Sequence, residues 1–122
     1  LEWIQSNAIV IVMIEHIDAV NNLEEIFSVT GVDGFIIGPY DLSASMGFPG
    51  EFKKQEVIEA IDKISEVGKT MGVSGGIHIV DPSVDLLQHY IEKGFSFIGY
   101  GMDIRFLDIM CREHLSKIDS FK

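Results

Sequence analysis

Cysteine, basic side chains and long apolar runs are all scarce in this sequence. Its one cysteine, Cys111, excludes an intrachain disulfide and a thiolate zinc site within these 122 residues. Nine Lys and Arg stand against 19 Asp and Glu, for a formal net charge of −10. This balance argues against binding to nucleic acids and anionic membranes, because both need clustered positive charge. The longest apolar run covers residues 8–14, far short of the roughly 20 residues that cross a bilayer. We therefore expect a soluble protein of a reducing, cytoplasmic compartment, with no nucleic-acid or membrane partner.

The apolar residues are enough to form one core. They make up 47% of the 122 residues, which suits a single domain over residues 1–122. The chain has three prolines, and no segment rich in Pro, Ser or Gly divides it. We expect one α/β domain with short connections.

The hydrophobic pattern alternates between strand and helix signals four times. Strands are predicted over 8–14, 34–38, 75–80 and 95–100, and helices over 18–29, 53–70, 83–93 and 104–118, with a short extra helical turn at 41–47. Each strand is a nearly continuous apolar run, which indicates a parallel sheet covered on both faces. Four βα units are half of a (β/α)₈ barrel, which typically needs about 250 residues. The prediction is a half TIM barrel: an open sheet, a pair of copies that close one barrel, or a broken-off half.

Two acids stand just past apolar runs that contain strands, and this placement is the main functional signal. Glu15 comes directly after the first predicted strand, and Asp41 comes after the apolar stretch 34–40 that contains the second. Ligands in parallel α/β folds bind outside the carboxyl ends of the strands, and carboxylate oxygens suit Mg²⁺ or Mn²⁺. The free N–H groups of the extra turn would lie beside the acids and bind an anion. Taken singly, Glu15 is better explained as a helix-leading or loop acid and Asp41 as an ordinary helix N-cap.

Residues 13–15, 19–26 and 31–47 together resemble the HpcH/HpaI aldolase family. Its members are class II, metal-dependent aldolases that handle pyruvate, are related to the citrate lyase β subunit and have a pyruvate-kinase-like TIM barrel. The resemblance covers essentially the whole chain and corresponds to the C-terminal half of such an enzyme. It implies that Glu15 and Asp41 bind a divalent cation (Mg²⁺, Mn²⁺ or Co²⁺). It also implies that Gly38, Pro39, Tyr40 and Asp41 bind a small 2-oxo acid such as pyruvate, with the backbone amides around Tyr40 and Asp41 holding its carboxylate.

The implied reaction is aldol or retro-aldol carbon–carbon cleavage by a cytoplasmic homo-oligomer. The resemblance places the family's base histidine and substrate arginine in the N-terminal half of the barrel, outside this sequence, so the isolated chain is expected to be weak or inactive. The alternative is a catalytically inactive half-barrel that serves as an oligomerisation or small-ligand-binding module. His78, inside the third predicted strand, is either a packed core histidine or a substrate-binding residue that replaces part of the missing base.

Overall fold

The computed structural model describes residues 2–119 and forms a four-stranded parallel sheet in the order β1-β2-β3-β4. The strands are β1 Ile11–Ile14, β2 Gly34–Ile37, β3 Ser74–Ile79 and β4 Phe97–Tyr100. The helices are α1 Glu2–Asn7, α2 Ile17–Asn21, α3 Leu23–Phe27, α4 Pro39–Ser45, α5 Gln55–Met71, α6 Val84–Glu92 and α7 Asp103–Asp119. The prediction of an α/β chain of four βα units is confirmed.

Most boundaries lie within two residues of the predictions. The short helix predicted over 41–47 begins at Pro39, so its N-cap is Gly38 and not Asp41. Three further differences have a local cause. The first strand begins at Ile11 and not at residue 8. The chain instead starts with α1, a helix that was not predicted, and the Ala8 N–H closes its last turn by donating to the Ile4 carbonyl. The predicted helix 18–29 is two short helices, since Asn22 (φ −124°) interrupts it. The last strand begins at Phe97, because Phe95 is buried against Tyr90 instead of pairing in the sheet.

One face of the sheet carries the core. Four isoleucines stand side by side across the strands: Ile14 pairs with Ile37, Ile37 with Ile77, and Ile77 with Ile98. The first three of these side chains are at most 1% exposed. They pack with residues of α2, α3, α4 and α5, among them Val20, Phe27, Leu42, Val57 and Ile64. Because side chains alternate along a strand, this row fixes which face every neighbouring residue takes.

Phe35 shows how closely α5 approaches the sheet. Its ring stacks on Phe27 with 4.9 Å between centroids. A Cβ added at Gly68 in α5 would lie 2.3 Å from this ring, and one added at Gly75 in β3 would lie 2.7 Å from it. Both glycines are therefore needed for space, because an added methyl group would displace the ring.

The other face of the sheet and both of its edges are open. Ile11, Met13 and Phe97 are 42%, 55% and 49% exposed on this face. Within residues 2–119, β1 pairs only with β2, and β4 only with β3. An open arc of four strands agrees with half of a barrel, and its closure by a second copy stays a prediction.

No helix within residues 2–119 is long and apolar enough to cross a membrane.

We expect Gly68→Ala to lower the free energy of unfolding by about 1–3 kcal/mol, the usual cost of an overpacked core. Alanine gains up to about 1 kcal/mol of helix propensity over glycine, but the contact with Phe35 outweighs it. Urea denaturation measures the change. Thr70→Ala, an exposed position of the same helix, is the control and should stay within about 0.5 kcal/mol of the unmodified chain. An unchanged or higher midpoint for Gly68→Ala would contradict the argument.

Candidate functional site

A single row of residues crosses the carboxyl end of the sheet on its open face. It comprises Glu15, Gly38, His78 and Gly99, each one position beyond the isoleucine row. Because successive residues alternate between faces, the buried isoleucines direct the next residue of each strand to the opposite side. The sequence-predicted Glu15, Gly38 and His78 are thus brought together.

Glu15 lies against Gly38. The position that a Cβ would take at Gly38 is 3.2 Å from Oε2 of Glu15 and 3.6 Å from the sulfur of Met13. Glu15 is half-buried, and its carboxylate has no hydrogen-bond or ion-pair partner among the described residues. Because Gly38 has no side chain, the Glu15 carboxylate has room beside it and is free to bind a ligand.

Helix α4 begins beside this carboxylate. Gly38 is its N-cap, with no side-chain cap hydrogen bond, and Pro39 occupies the first turn. Proline has no N–H, so the first amides available to a ligand are those of Tyr40 and Asp41. Asp41 is exposed in the same turn, where a carboxylate interacts favourably with the helix dipole. Amide donors and two carboxylates thus lie at one end of a short helix.

Two serines fix α4 to its surroundings. Ser45 Oγ accepts a hydrogen bond of 3.0 Å from the Ile17 amide, which joins α4 to the segment just after Glu15. Ser43 is fully buried, and its Oγ accepts a 3.1 Å bond from the Gly50 amide. Sequence reasoning missed both roles, because a serine in a motif gives no indication of which distant backbone group its hydroxyl binds. The Ser45 bond thus holds α4, which carries Asp41, at a fixed position relative to the segment that carries Glu15.

His78 is not a packed core residue. It is half-buried, and its Cδ2 lies 3.1 Å from the position a Cβ would take at Gly99, so the ring lies over that glycine. The imidazole has no hydrogen-bond partner in the described part of the chain. Both ring nitrogens are thus free to contact a ligand on the open face.

A cleft of about 830 Å³ borders the row. It runs between α5 and α6 and reaches over the end of β3, where both His78 and Tyr40 line it. Tyr40 packs edge-on against Phe52, 4.6 Å between ring centroids, and the two rings form one wall. This volume lies within the range of small-molecule sites.

Deeper in the cleft, Tyr90 is largely desolvated. Burial raises the pKa of the Tyr90 hydroxyl, and the nearby charge of Asp62 raises it further. Tyr90 therefore stays neutral at physiological pH. It lines the cleft as a hydrogen-bonding group without adding charge.

The Glu15 carboxylate of the row and the Asp41 carboxylate of α4 fit a hard divalent cation. Glu15 and Asp41 both offer oxygen atoms that are not engaged elsewhere in residues 2–119. No group of three or more His, Cys, Asp or Glu side chains that could hold a metal occurs among the described residues. A cation here would depend on this carboxylate pair, with the remaining ligands from water or substrate, as is usual for Mg²⁺.

Comparison with known proteins gives one family. The family model described as HpcH/HpaI aldolase/citrate lyase matches residues 4–108. A crystal structure of a protein of this family from Burkholderia cenocepacia J2315 superposes with a TM-score of 0.86 at 31% identity, over 93% of this chain and 44% of that one. The fold is therefore that of about half of such a protein.

Two curated relatives are aldolases. The hydroxypyruvate/pyruvate aldolase of Pseudomonas aeruginosa is 38% identical over 103 residues, which are 84% of this chain and 38% of the relative. The 4-hydroxy-2-oxo-heptane-1,7-dioate aldolase of Shigella sonnei (strain Ss046) is 40% identical over 102 residues, which are 80% of this chain and 37% of the relative. The chain thus spans less than two fifths of the length of either one.

We expect Ser45→Ala to lower the free energy of unfolding by about 1–3 kcal/mol, because the partly buried Ile17 amide loses its acceptor. Ser28→Ala is the matched control: its hydroxyl donates only to the Glu25 carbonyl, and no distant amide depends on it. That change should stay within about 0.5 kcal/mol. Chemical denaturation compares the two, and equal effects would show that the bond to Ile17 contributes nothing.

Proposed function

Because this chain belongs to the HpcH/HpaI aldolase/citrate lyase family, we propose that it supplies the metal- and oxo-acid-binding half of a carbon–carbon lyase. The reaction class is aldol or retro-aldol cleavage that gives pyruvate or a related 2-oxo acid. The observation that carries the proposal is the unpaired Glu15 carboxylate against Gly38, at the start of α4.

Glu15 and Asp41 are the proposed ligands of a divalent cation, Mg²⁺, Mn²⁺ or Co²⁺. When bound, such a cation supplies Lewis-acid polarisation of the 2-oxo group. The two carboxylates come from adjacent strand ends, and the Ser45 bond to the Ile17 amide holds them in place. Because this bond fixes both segments before a substrate binds, the two carboxylates are preorganised.

The proposed clamp for the substrate carboxylate consists of the Tyr40 and Asp41 amides. Gly38 lets the chain approach closely, and Pro39 begins the helix with a fixed φ and no competing N–H. A chain of net charge −10 repels an anionic substrate. Backbone N–H groups at a helix start counter that repulsion, because they present positive dipole ends without adding a mobile side chain.

His78 is proposed to contact the substrate from the neighbouring strand. Its free ring nitrogens lie in the same row as Glu15, on the face that is the interior of a barrel. The ring nitrogens of this imidazole can hydrogen-bond a bound 2-oxo acid.

A second candidate function has one observation in its favour. Among the described residues of the row, His78 is the one imidazole, and no arginine lies in the row. A half-barrel that binds a cation and a 2-oxo acid without turnover, as a small-ligand-binding module, would look the same. Turnover separates the two candidates.

We expect Glu15→Gln and Asp41→Asn each to weaken Mn²⁺ binding at least about tenfold, because each removes one anionic ligand (about 1.4 kcal/mol). Electron paramagnetic resonance of free Mn²⁺, with and without pyruvate, measures the affinity. Asp18→Asn is the control, since its carboxylate is 81% exposed, lies in α2 and is not one of the two proposed ligands. Mn²⁺ affinity that survives both changes would exclude the carboxylate pair.

Proton exchange at the pyruvate methyl group, followed by NMR in D₂O with Mg²⁺, distinguishes the lyase half from a binding module. The lyase proposal predicts exchange that His78→Gln lowers while Mn²⁺ affinity stays constant. Binding without any exchange would favour the module.

The two glycines of the row offer a paired test. We expect Gly38→Ala to weaken Mn²⁺ binding about tenfold, because its Cβ would press on the Glu15 carboxylate. Gly99→Ala presses on the His78 ring instead and should leave Mn²⁺ affinity unchanged while lowering pyruvate exchange. Equal effects of the two changes on Mn²⁺ affinity would contradict the assigned roles.

A further inference from the structure

The cleft between α5 and α6 begins beside the row and is bounded at its far end. Tyr40 and His78 line it at the rim, and residues of the two helices line it further along. Across the far end, the Lys93 ammonium pairs with the Asp62 carboxylate. Between these points α5 and α6 have no extended contact with each other. The cleft therefore leads from the row into the space between the two helices.

The walls of the cleft are mainly apolar and aromatic. Ile58 and Ile61 line it from α5, Leu86 and Tyr90 line it from α6, and Phe52 lines it from the loop before α5. Ile58 and Leu86 are 37% and 43% exposed, although both are large aliphatic side chains. A flat apolar molecule between the helices would remove this surface from water, and aromatic walls pack well against another ring.

The charges along the cleft are paired, except at the rim. Asp62 pairs with Lys93, and Asp81 pairs with Arg105 at 2.6 Å. The remaining Lys and Glu side chains of the lining belong to the loop 51–54, before α5 begins. A charged group between the helices would therefore lose water without gaining a free partner. The cleft favours a ligand whose body is neutral.

The Tyr90 hydroxyl is a hydrogen-bonding group deep in the cleft. Its ring packs edge-on against Phe95, with 5.6 Å between the centroids. The hydroxyl has no hydrogen-bond partner among the described residues, and it can both donate and accept. Tyr90 is in the second turn of α6, about 9 Å along the helix axis from its first residue. A ligand that extends this far from the rim meets one neutral polar group.

We propose that the cleft binds the acceptor aldehyde of the carbon–carbon lyase, and that this acceptor is an aromatic aldehyde with a neutral hydrogen-bonding group opposite its carbonyl. The inference rests on the proposed function, because the row must hold the 2-oxo acid. The ring lies between the apolar walls, and its polar substituent meets the Tyr90 hydroxyl. The carbonyl then lies at the rim beside His78, about one strand spacing (about 4.8 Å) from Gly38.

The two bound molecules would be joined by one new bond. In the aldol direction, the pyruvate methyl carbon gives up a proton and bonds to the aldehyde carbon, while the aldehyde oxygen takes up a proton. The product is a 4-hydroxy-2-oxo acid with the aromatic ring on its carbinol carbon. No oxidant, reductant or further reactant is consumed, and the reverse reaction returns pyruvate and the aldehyde.

NMR titration with 4-(hydroxymethyl)benzaldehyde and 4-ethylbenzaldehyde tests the cleft without metal or pyruvate. The two probes have nearly the same shape, but only the first can hydrogen-bond to Tyr90. We expect Tyr90→Phe to weaken binding of the first about 3–10-fold, which corresponds to one hydrogen bond, and to leave the second unchanged. Equal effects on both probes, or no effect on either, would overturn the proposal.

Leu86→Glu and Val84→Glu are a matched pair in α6. Both residues are exposed, but only Leu86 lines the cleft. Leu86→Glu should weaken both probes at least about tenfold, because it places a charge against an apolar ligand, whereas Val84→Glu should change neither. Circular dichroism melting curves show whether both variants are folded. Equal loss in the two variants, or loss in neither, would locate the binding elsewhere and contradict the proposal.

A third probe, 4-carboxybenzaldehyde, tests the neutral class of the ligand. It has a charge at the end that should lie near Tyr90, so the unmodified chain should bind it at least about tenfold more weakly than 4-(hydroxymethyl)benzaldehyde. Equal or tighter binding would contradict the assigned substrate class.

Mn²⁺ separates failure of this inference from failure of the proposed function. Paramagnetic Mn²⁺ speeds the relaxation of nearby protons, and the effect falls steeply with distance. With Mn²⁺ bound at Glu15 and Asp41, the aldehyde proton of 4-(hydroxymethyl)benzaldehyde should relax faster than its hydroxymethyl protons. The reverse order would overturn the acceptor role. Absence of Mn²⁺ binding while the Tyr90 dependence persists would instead contradict the proposed function, and the acceptor role with it.

Discussion

Burial of one face of the sheet is the constraint on which the rest of the structure depends. The row of Ile14, Ile37, Ile77 and Ile98 sets the strand register, because a slip of one residue would turn four large apolar side chains towards water. Full burial of an isoleucine contributes about 1.5–3 kcal/mol. The same register brings the residues after these isoleucines to the other face, so the packing of the core and the layout of the candidate site have one cause.

The site combines that register with small side chains. Gly38 leaves room for the Glu15 carboxylate, and Gly99 leaves room for the His78 ring. A glycine usually weakens a strand because it has no side chain to pack. At these two positions, however, it lets a polar neighbour lie close to the backbone. The Ser45 hydroxyl then ties α4 to the Glu15 segment. A carboxylate, an imidazole and backbone amides are thereby held at the end of the sheet, as the proposed chemistry on a 2-oxo acid requires.

A second feature of this chain is the incomplete burial of its apolar surface. The sheet has an open apolar face, and within residues 2–119 both of its edges are unpaired. The chain matches 44% of a solved structure of its family, so the open face corresponds to the interior of a barrel.

The sequence by itself determined the order of the elements and the acids that follow the strands. Continuous apolar runs indicated a parallel sheet, and Glu15 and Asp41 were found because they directly follow such runs. The exact strand starts and the break at Asn22 could not be predicted, since they depend on where a partner strand begins and on local backbone preferences.

Only the tertiary structure decided that His78 has no hydrogen-bond partner among the described residues on the open face, and that Ser45 bridges two segments 28 residues apart. These features arise from contacts between residues distant in the chain. The apolar pattern of a segment shows which side is buried but not which neighbour covers it.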